Sequence, residues 1–308
     1  MSGSLRVVSL LPSATEIAVA LGLEENLVGR SHQCDFPPGI RDLPVLTSTK
    51  LQPGLSSRAI EDRMKEILEQ GLSVYDVDAE LLRSLRPDVI LTQSQCAVCA
   101  VTPSDLEDAL AQWIGSPPEL VSLAPDDLAD VLGDFQRVAD ATGRTEAASI
   151  AIAQMRETMA DIADHGRAKR PDMLCVEWLD PLMVAGNWVP DLVEAAGARP
   201  VLIDQSVHSH WIEFDAVLES DPDLIALMPC GYQVEQTLAE ARPLLAQDPW
   251  RRLRAVREGN VWAVDGHHLF NRPGPRLIES AQVLACLVNG CEHVPEAIAP
   301  FIEPVRQA

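Results

Sequence analysis

Thiols and imidazoles in this chain occur in groups. His32 and Cys34 stand two apart in Ser31-His32-Gln33-Cys34-Asp35, and Cys96 and Cys99 form a Cys-x-x-Cys pair. One such pair can serve thiol redox exchange or half of a metal site. Joined by His32 and Cys34, it would offer a Cys₃His set for zinc or three thiolates for an iron–sulfur cluster. A second Cys-x-x-Cys, which would specify a zinc site strongly, is missing from the sequence. Four further imidazoles lie in two short segments: His208 and His210 in Ser206-Val207-His208-Ser209-His210-Trp211, and His267 and His268 in Asp265-Gly266-His267-His268-Leu269-Phe270-Asn271-Arg272. Imidazoles at such positions suit a metal-centred ligand. Aromatic residues are only 4% of the chain, yet Trp178, Trp188, Trp211, Tyr232 and Phe270 fall in or near these segments. That bias points to a wall for a large flat ligand. Trp113, Trp250 and Trp262 read as core residues, as do Cys175 and Cys286 on their apolar runs; Glu16 reads as a helix-capping residue. No nucleophile–base–orienter arrangement and no Gly-rich phosphate loop is evident, so the chain reads as a binder more than as an enzyme.

The elements that carry these segments follow from apolar patterning. Strands are predicted at 5–11, 26–30, 88–93 and 120–123, with a helix at 13–21 opened by a Ser13/Glu16 capping box. The alternation implies a mostly parallel sheet with helices on both faces. Helices then follow one another at 126–141 and 144–165, the second roughly 30–35 Å long at 1.5 Å per residue. The alternation resumes with strands at 173–177, 201–204, 224–228 and 261–264 and helices at 189–196 and 276–289. The fold class is therefore α/β: two Rossmann-like lobes with parallel sheets, at 1–124 and 171–308, joined by a helical segment at 125–170 with one long rigid helix. In open parallel sheets ligands bind beyond the carboxyl ends of strands. Five of the seven histidines and four of the seven cysteines follow such ends, which places a single expected site in a cleft between the lobes.

Composition narrows the partners. Lys+Arg is 24 against Asp+Glu 46 in 308 residues, a net charge of −22. That excludes a nucleic-acid binder, which needs cations to displace phosphate counterions, and disfavours a protein held on anionic lipid. No apolar stretch is long enough to span a bilayer, so no membrane insertion is expected. The opening residues lack the pattern of a secretory signal. Seven cysteines without framework spacing read as reduced thiols. The expectation is a cytoplasmic protein, or a periplasmic one whose leader has been removed.

Several stretches resemble the cobalamin-binding branch of the periplasmic binding proteins, the class with two α/β lobes bridged by one helix that also serves siderophore and haem import. They are Arg6-Val7-Val8-Ser9-Leu10-Leu11-Pro12-Ser13-Ala14-Thr15-Glu16, Leu85-Arg86-Pro87-Asp88-Val89-Ile90-Leu91, Asp191-Leu192-Val193-Glu194-Ala195-Ala196-Gly197 and Phe270-Asn271-Arg272-Pro273-Gly274-Pro275-Arg276. The resemblance covers nearly the whole chain. It implies a corrinoid held between aromatic side chains, with Arg272 matching the family's last-loop arginine, and Trp178, Trp188 and Trp211 as further contacts. It implies cobalamin as ligand and an ABC transporter as partner if the protein is exported. The Cys and His residues of the strand-end loops depart from that pattern and keep a metal or iron–sulfur protein, including an enzyme, open as the alternative. A cleft imidazole (His208, His210, His267 or His268) could occupy an axial position on cobalt.

Overall fold

The structure is a computed structural model describing residues 4–52, 54–70, 73–94, 101, 106, 110, 113, 115–164, 170–291 and 294–306. By their contacts the residues fall into two compact units, one of Met1–Leu55, Ala59–Pro125 and Ala129–Ala153, the other of Ser56–Arg58, Asp126–Leu128 and Gln154–Ala308. Cys96, Cys99 and His165 lie outside the described residues.

In the first unit β1 (Val7–Ser9), β2 (Leu27–Arg30), β5 (Val89–Gln93) and β6 (Glu119–Leu123) form a wholly parallel sheet in the order β2-β1-β5-β6. β3 (Thr47–Thr49) and β4 (Tyr75–Val77) pair separately and antiparallel. α1 (Pro12–Ala20) connects β1 to β2, and among the described residues α2 (Ser57–Glu69), α3 (Ala79–Leu85) and α4 (Leu128–Thr142) are the other α-helices before the long one. Strands buried on both faces read as continuous apolar runs, and β5 is buried at every position. Val8, Leu10, Ile90, Leu82 and Leu106 form the centre of the core. α5 (Thr145–Asp164) is one continuous 20-residue helix, about 30 Å long.

The second unit is built on a seven-stranded sheet. β7 (Asp172–Leu179), β11 (Leu224–Leu227) and β12 (Val261–Val264) are parallel neighbours, and β9 (Arg199–Pro200) adds to the start of β7. β8 (Leu182–Val184) turns back on β7, β10 (His210–Trp211) pairs with β8, and β13 (Ile302–Pro304) closes the other edge, all three antiparallel. α6 (Val189–Ala195), α7 (Phe214–Ser220), α8 (Val234–Leu245), α9 (Asp248–Arg251), α10 (Arg254–Arg257) and α11 (Leu277–Val288) cover it. Leu174, Val176, Ile225, Leu227, Trp250 and Val261 lead the core.

Three expectations need correction. Residues 201–204 are not a strand: pairing with β7 ends at Pro200, and Leu202 takes a φ of 65° that no strand allows. Ser13 does not cap α1. The helix starts one residue earlier, with Pro12 in the first turn and Leu11 at the N-cap without a side-chain cap. The thiols are not all reduced: Cys286, half-buried in the last turn of α11, is joined to Cys291. Among the described residues no helix is long and apolar enough to cross a membrane.

Candidate functional site

The carboxyl ends of β7, β11 and β12 bring the second unit's aromatic and basic residues together. Trp178 leaves the end of β7 and stacks on Tyr232 at a tilt, ring centroids 5.7 Å apart. Trp188, at the start of α6, donates its indole N–H to the Phe270 carbonyl at 2.9 Å. Phe270 is fully enclosed, and Trp178, Trp188 and Tyr232 are buried as well, so these rings pack mainly against one another and the protein. Two glycines set the spacing. A Cβ on Gly266 would lie 2.2 Å from the Pro229 carbonyl oxygen, and one on Gly186 would lie 2.3 Å from that of Val207. Both loops approach closely enough to admit only glycine.

The 265–272 loop is ordered by its own polar groups. Asp265 accepts from the His268 backbone N–H at 2.6 Å and pairs with His268 Nδ1 at 2.9 Å. A carboxylate on Nδ1 fixes the ring and presents Nε2 as the ligating nitrogen. His267 Nε2 lies 3.0 Å from Arg272 Nη2. A guanidinium can only donate, so in this contact His267 Nε2 is the acceptor. The two imidazoles pack edge to face at 4.5 Å. Asn271 Nδ2 donates to the carbonyls of Met228 and Gly266, which ties this loop to the end of β11. A cavity of about 280 Å³ opens beside it, lined by Gly231, Gln233, Glu235, Gln236 and His267.

Two residues given no role from sequence complete the site. Ser209 donates to Glu177 Oε2 and accepts from the Gly186 N–H at 2.9 Å, fastening the 206–211 segment over the end of β7. Burial raises the Glu177 carboxyl above its ordinary range, with the Ser209 hydrogen bond acting the other way. Burial, with the Glu177 charge added, pushes the Cys230 thiol up to about 12, so Cys230 is a poor nucleophile at neutral pH. The signal was the polar Glu177 at the end of an otherwise apolar strand. His208 and His210 are exposed. His208 Nε2 contacts Asp126 at 3.2 Å, and His210 Nδ1 lies 3.3 Å from the His208 carbonyl. Trp211 is 50% exposed on the edge strand β10.

His32 and Cys34 in the first unit face separate partners. His32 Nδ1 meets Thr47 Oγ1 at 2.7 Å, and its ring packs against Tyr75. Burial, then the Arg30 charge, lowers its pKa, and Nε2 has no hydrogen-bond partner. Cys34 is fully buried, with its sulfur 3.1 Å from Thr15 Oγ1. The structure therefore directs these two side chains to different neighbours; the other two members of the expected metal set lie outside the described residues.

The model of the family described as periplasmic binding protein matches residues 7–267. The chain belongs to that family. It is 23% identical over 290 residues to YvrC of Bacillus subtilis, an ABC transporter substrate-binding lipoprotein, covering 91% of this chain and 78% of the relative. It is 23% identical over 281 residues to a vitamin B12-binding protein of Vibrio cholerae, covering 90% and 86%. Among solved structures it shares its fold with the periplasmic haem-binding protein HutB of Vibrio cholerae. There the TM-score is 0.67 and the identity 19%, with 93% of this chain and 99% of that one covered.

Proposed function

We propose that this chain is a substrate-binding protein that carries a corrinoid or a related tetrapyrrole to an ABC transporter and performs no chemistry on it. The observation that carries the reading is the assembly at the second unit's strand ends: Trp178 on Tyr232, Trp188 locked to the Phe270 loop, and Arg272 and His267 held together beside Asp265 and His268. Flat macrocycles are held by aromatic faces with a few fixed polar groups. Asp265 turns the His268 ring so that Nε2 could take an axial place on the cargo's cobalt or iron. The relatives' cargoes, vitamin B12 in one and haem in another, support the same ligand class. The Cys286–Cys291 pair supports an oxidising compartment, where a transporter's binding protein meets its cargo; the cytoplasmic expectation rested on opening residues without a signal pattern and on thiols read as reduced.

The test is absorbance and calorimetric titration of the purified full chain with cyanocobalamin and with haemin. Retained colour with at least one is expected. Trp178→Ala should weaken it about 5- to 150-fold, which corresponds to about 1–3 kcal/mol for a buried aromatic contact. No heat and no retained colour with either would reject the reading.

A further inference from the structure

The Cys286–Cys291 bond joins the last turn of α11 to the chain just beyond it. Both cysteines are half-buried rather than enclosed. They stand on the wall of a cavity of about 700 Å³, together with Thr158 and Ile162 of α5, Ala285 of α11, and Pro295. All of these residues belong to the second unit. A cavity of this size is large enough for a small molecule, so an attacking thiolate can reach the sulfurs from solvent.

Two further features separate this bond from one that holds a fold together. Its cysteines are only five apart in sequence, so it restricts the unfolded chain less than a long-range bond would. It also ends on Cys291 at a φ of 46°, in the left-handed region that side chains of this kind seldom adopt. Opening the bond lets that backbone relax. Accessible and strained disulfides are the ones that exchange.

The segment that follows leads to the ligand loop. The N–H groups of Ile298 and Ala299 both donate to the Pro295 carbonyl at 3.0 Å, and Phe301 N–H donates to the Ile298 carbonyl at 3.0 Å. The Phe301 carbonyl in turn accepts from Asp265 N–H at 3.0 Å. The Phe301 ring lies 6.2 Å from that of His268, whose Nδ1 is held by Asp265. One run of hydrogen bonds therefore connects Pro295, on the cavity wall with the disulfide, to the Asp265–His268 pair.

We infer that Cys286–Cys291 is a thiol-exchange site opened by a dithiol, and that its state sets the order of the Asp265–His268 loop through Phe301. One thiolate of the dithiol attacks one sulfur, forming a mixed disulfide and releasing the other cysteine as thiolate. The second thiol then displaces the attached cysteine. The dithiol leaves as a disulfide, and its two electrons and two protons stay on Cys286 and Cys291. The exchange stands on the second unit alone; its bearing on cargo rests on the tetrapyrrole reading above.

The probe is dithiothreitol, added without denaturant to the ¹⁵N-labelled full chain and then removed in air. Alkylation and intact mass should show the Cys286 and Cys291 thiols appear and disappear reversibly. The Asp265 and His268 amide resonances should move with them and return on reoxidation. The Cys286→Ser, Cys291→Ser double variant should hold these resonances at the reduced positions with or without dithiothreitol. Whichever of cyanocobalamin and haemin binds should do so at least about fivefold more weakly to reduced protein, the low end for coupled sites. Reduction that required urea would overturn the exchange site. Fixed Asp265 and His268 resonances, or shifts that the double variant also shows on adding dithiothreitol, would overturn the coupling, as would unchanged affinity. Binding of neither macrocycle would reject the tetrapyrrole reading and leave the resonances to decide this one.

Discussion

Single residues here show which side chains serve the fold and which are left for a ligand. Phe270 and Cys175 are enclosed by their own unit, whereas Ser13 Oγ, Trp178 Nε1 and Asn187 Oδ1 are buried polar atoms without partners. Such atoms are rare in native proteins and mark strain, water or an absent ligand. Sequence can show a serine near a helix start but not whether its hydroxyl is used; the pairing of Ser13 with Glu16 pointed to a cap, but the helix starts at Pro12 with Leu11 at the N-cap and no side-chain cap. The Cys286–Cys291 bond was equally hidden, because spacing of five does not distinguish a half-buried pair from one packed core thiol. Cys291 takes a φ of 46° and returns its N–H to the Cys286 carbonyl at 2.9 Å, bringing the two Cα atoms to 4.8 Å. Protein prepared without reductant should therefore weigh about 2 Da less in intact mass than the same protein after a strong dithiol. Cys286→Ser should cost about 2 kcal/mol in urea unfolding, the loop-closure value for so short a loop. Identical masses before and after reduction would show two thiols.

Elements were legible where periodicity and length agreed. β5, β12, α5 and α11 lie within a residue or two of their predicted spans, since long amphipathic or wholly apolar runs admit one solution. The short run at 201–204 was not legible, because three apolar residues that pack on the core (Val201, Leu202 and Ile203) look like residues that pair. The hairpin from β7 to β8, and the edge strand β10 that carries Trp211, were missed for the same reason. α4 shows what a pattern cannot reveal about energy. Its Asp134 is buried, paired with Arg137, and holds one carboxylate oxygen without a partner. Burial raises its pKa from 3.8 to about 6, against the lowering by Arg137. The native state then binds this proton more tightly than the unfolded chain, so stability falls as pH rises from about 4 to about 6 and stays lower above that. The difference is of order 2–3 kcal/mol at about 1.4 kcal/mol per unit. Asp134→Asn should flatten this window in urea unfolding at successive pH values. A wild-type curve already flat across it would remove the buried, raised carboxyl from the account.

At the scale of the whole molecule the site region was legible and its ligand was not. Strand ends could be counted from sequence, but which side chains end up enclosed, as Phe270 does, depends on packing that no spacing encodes. Net charge is the one global property that sequence gives in full, and it bears on the cargo. A charge of −22 surrounds the protein with negative potential that reaches about 10 Å at 0.1 M salt and about 30 Å at 0.01 M. Haemin carries two carboxylates and is repelled over that range; cyanocobalamin has no net charge and is not. Stopped-flow association of haemin should therefore quicken as ionic strength rises from about 0.01 M to about 0.15 M, by several-fold for like-charged partners. Association of cyanocobalamin should stay level over the same range. Haemin association that slowed with added salt would mean that a local cationic group, with Arg272 the candidate at the second unit's strand ends, governs entry rather than the acidic surface as a whole. The contrast between two macrocycles of similar size and different charge thus separates the effect of the surface from that of the site, which affinity alone does not.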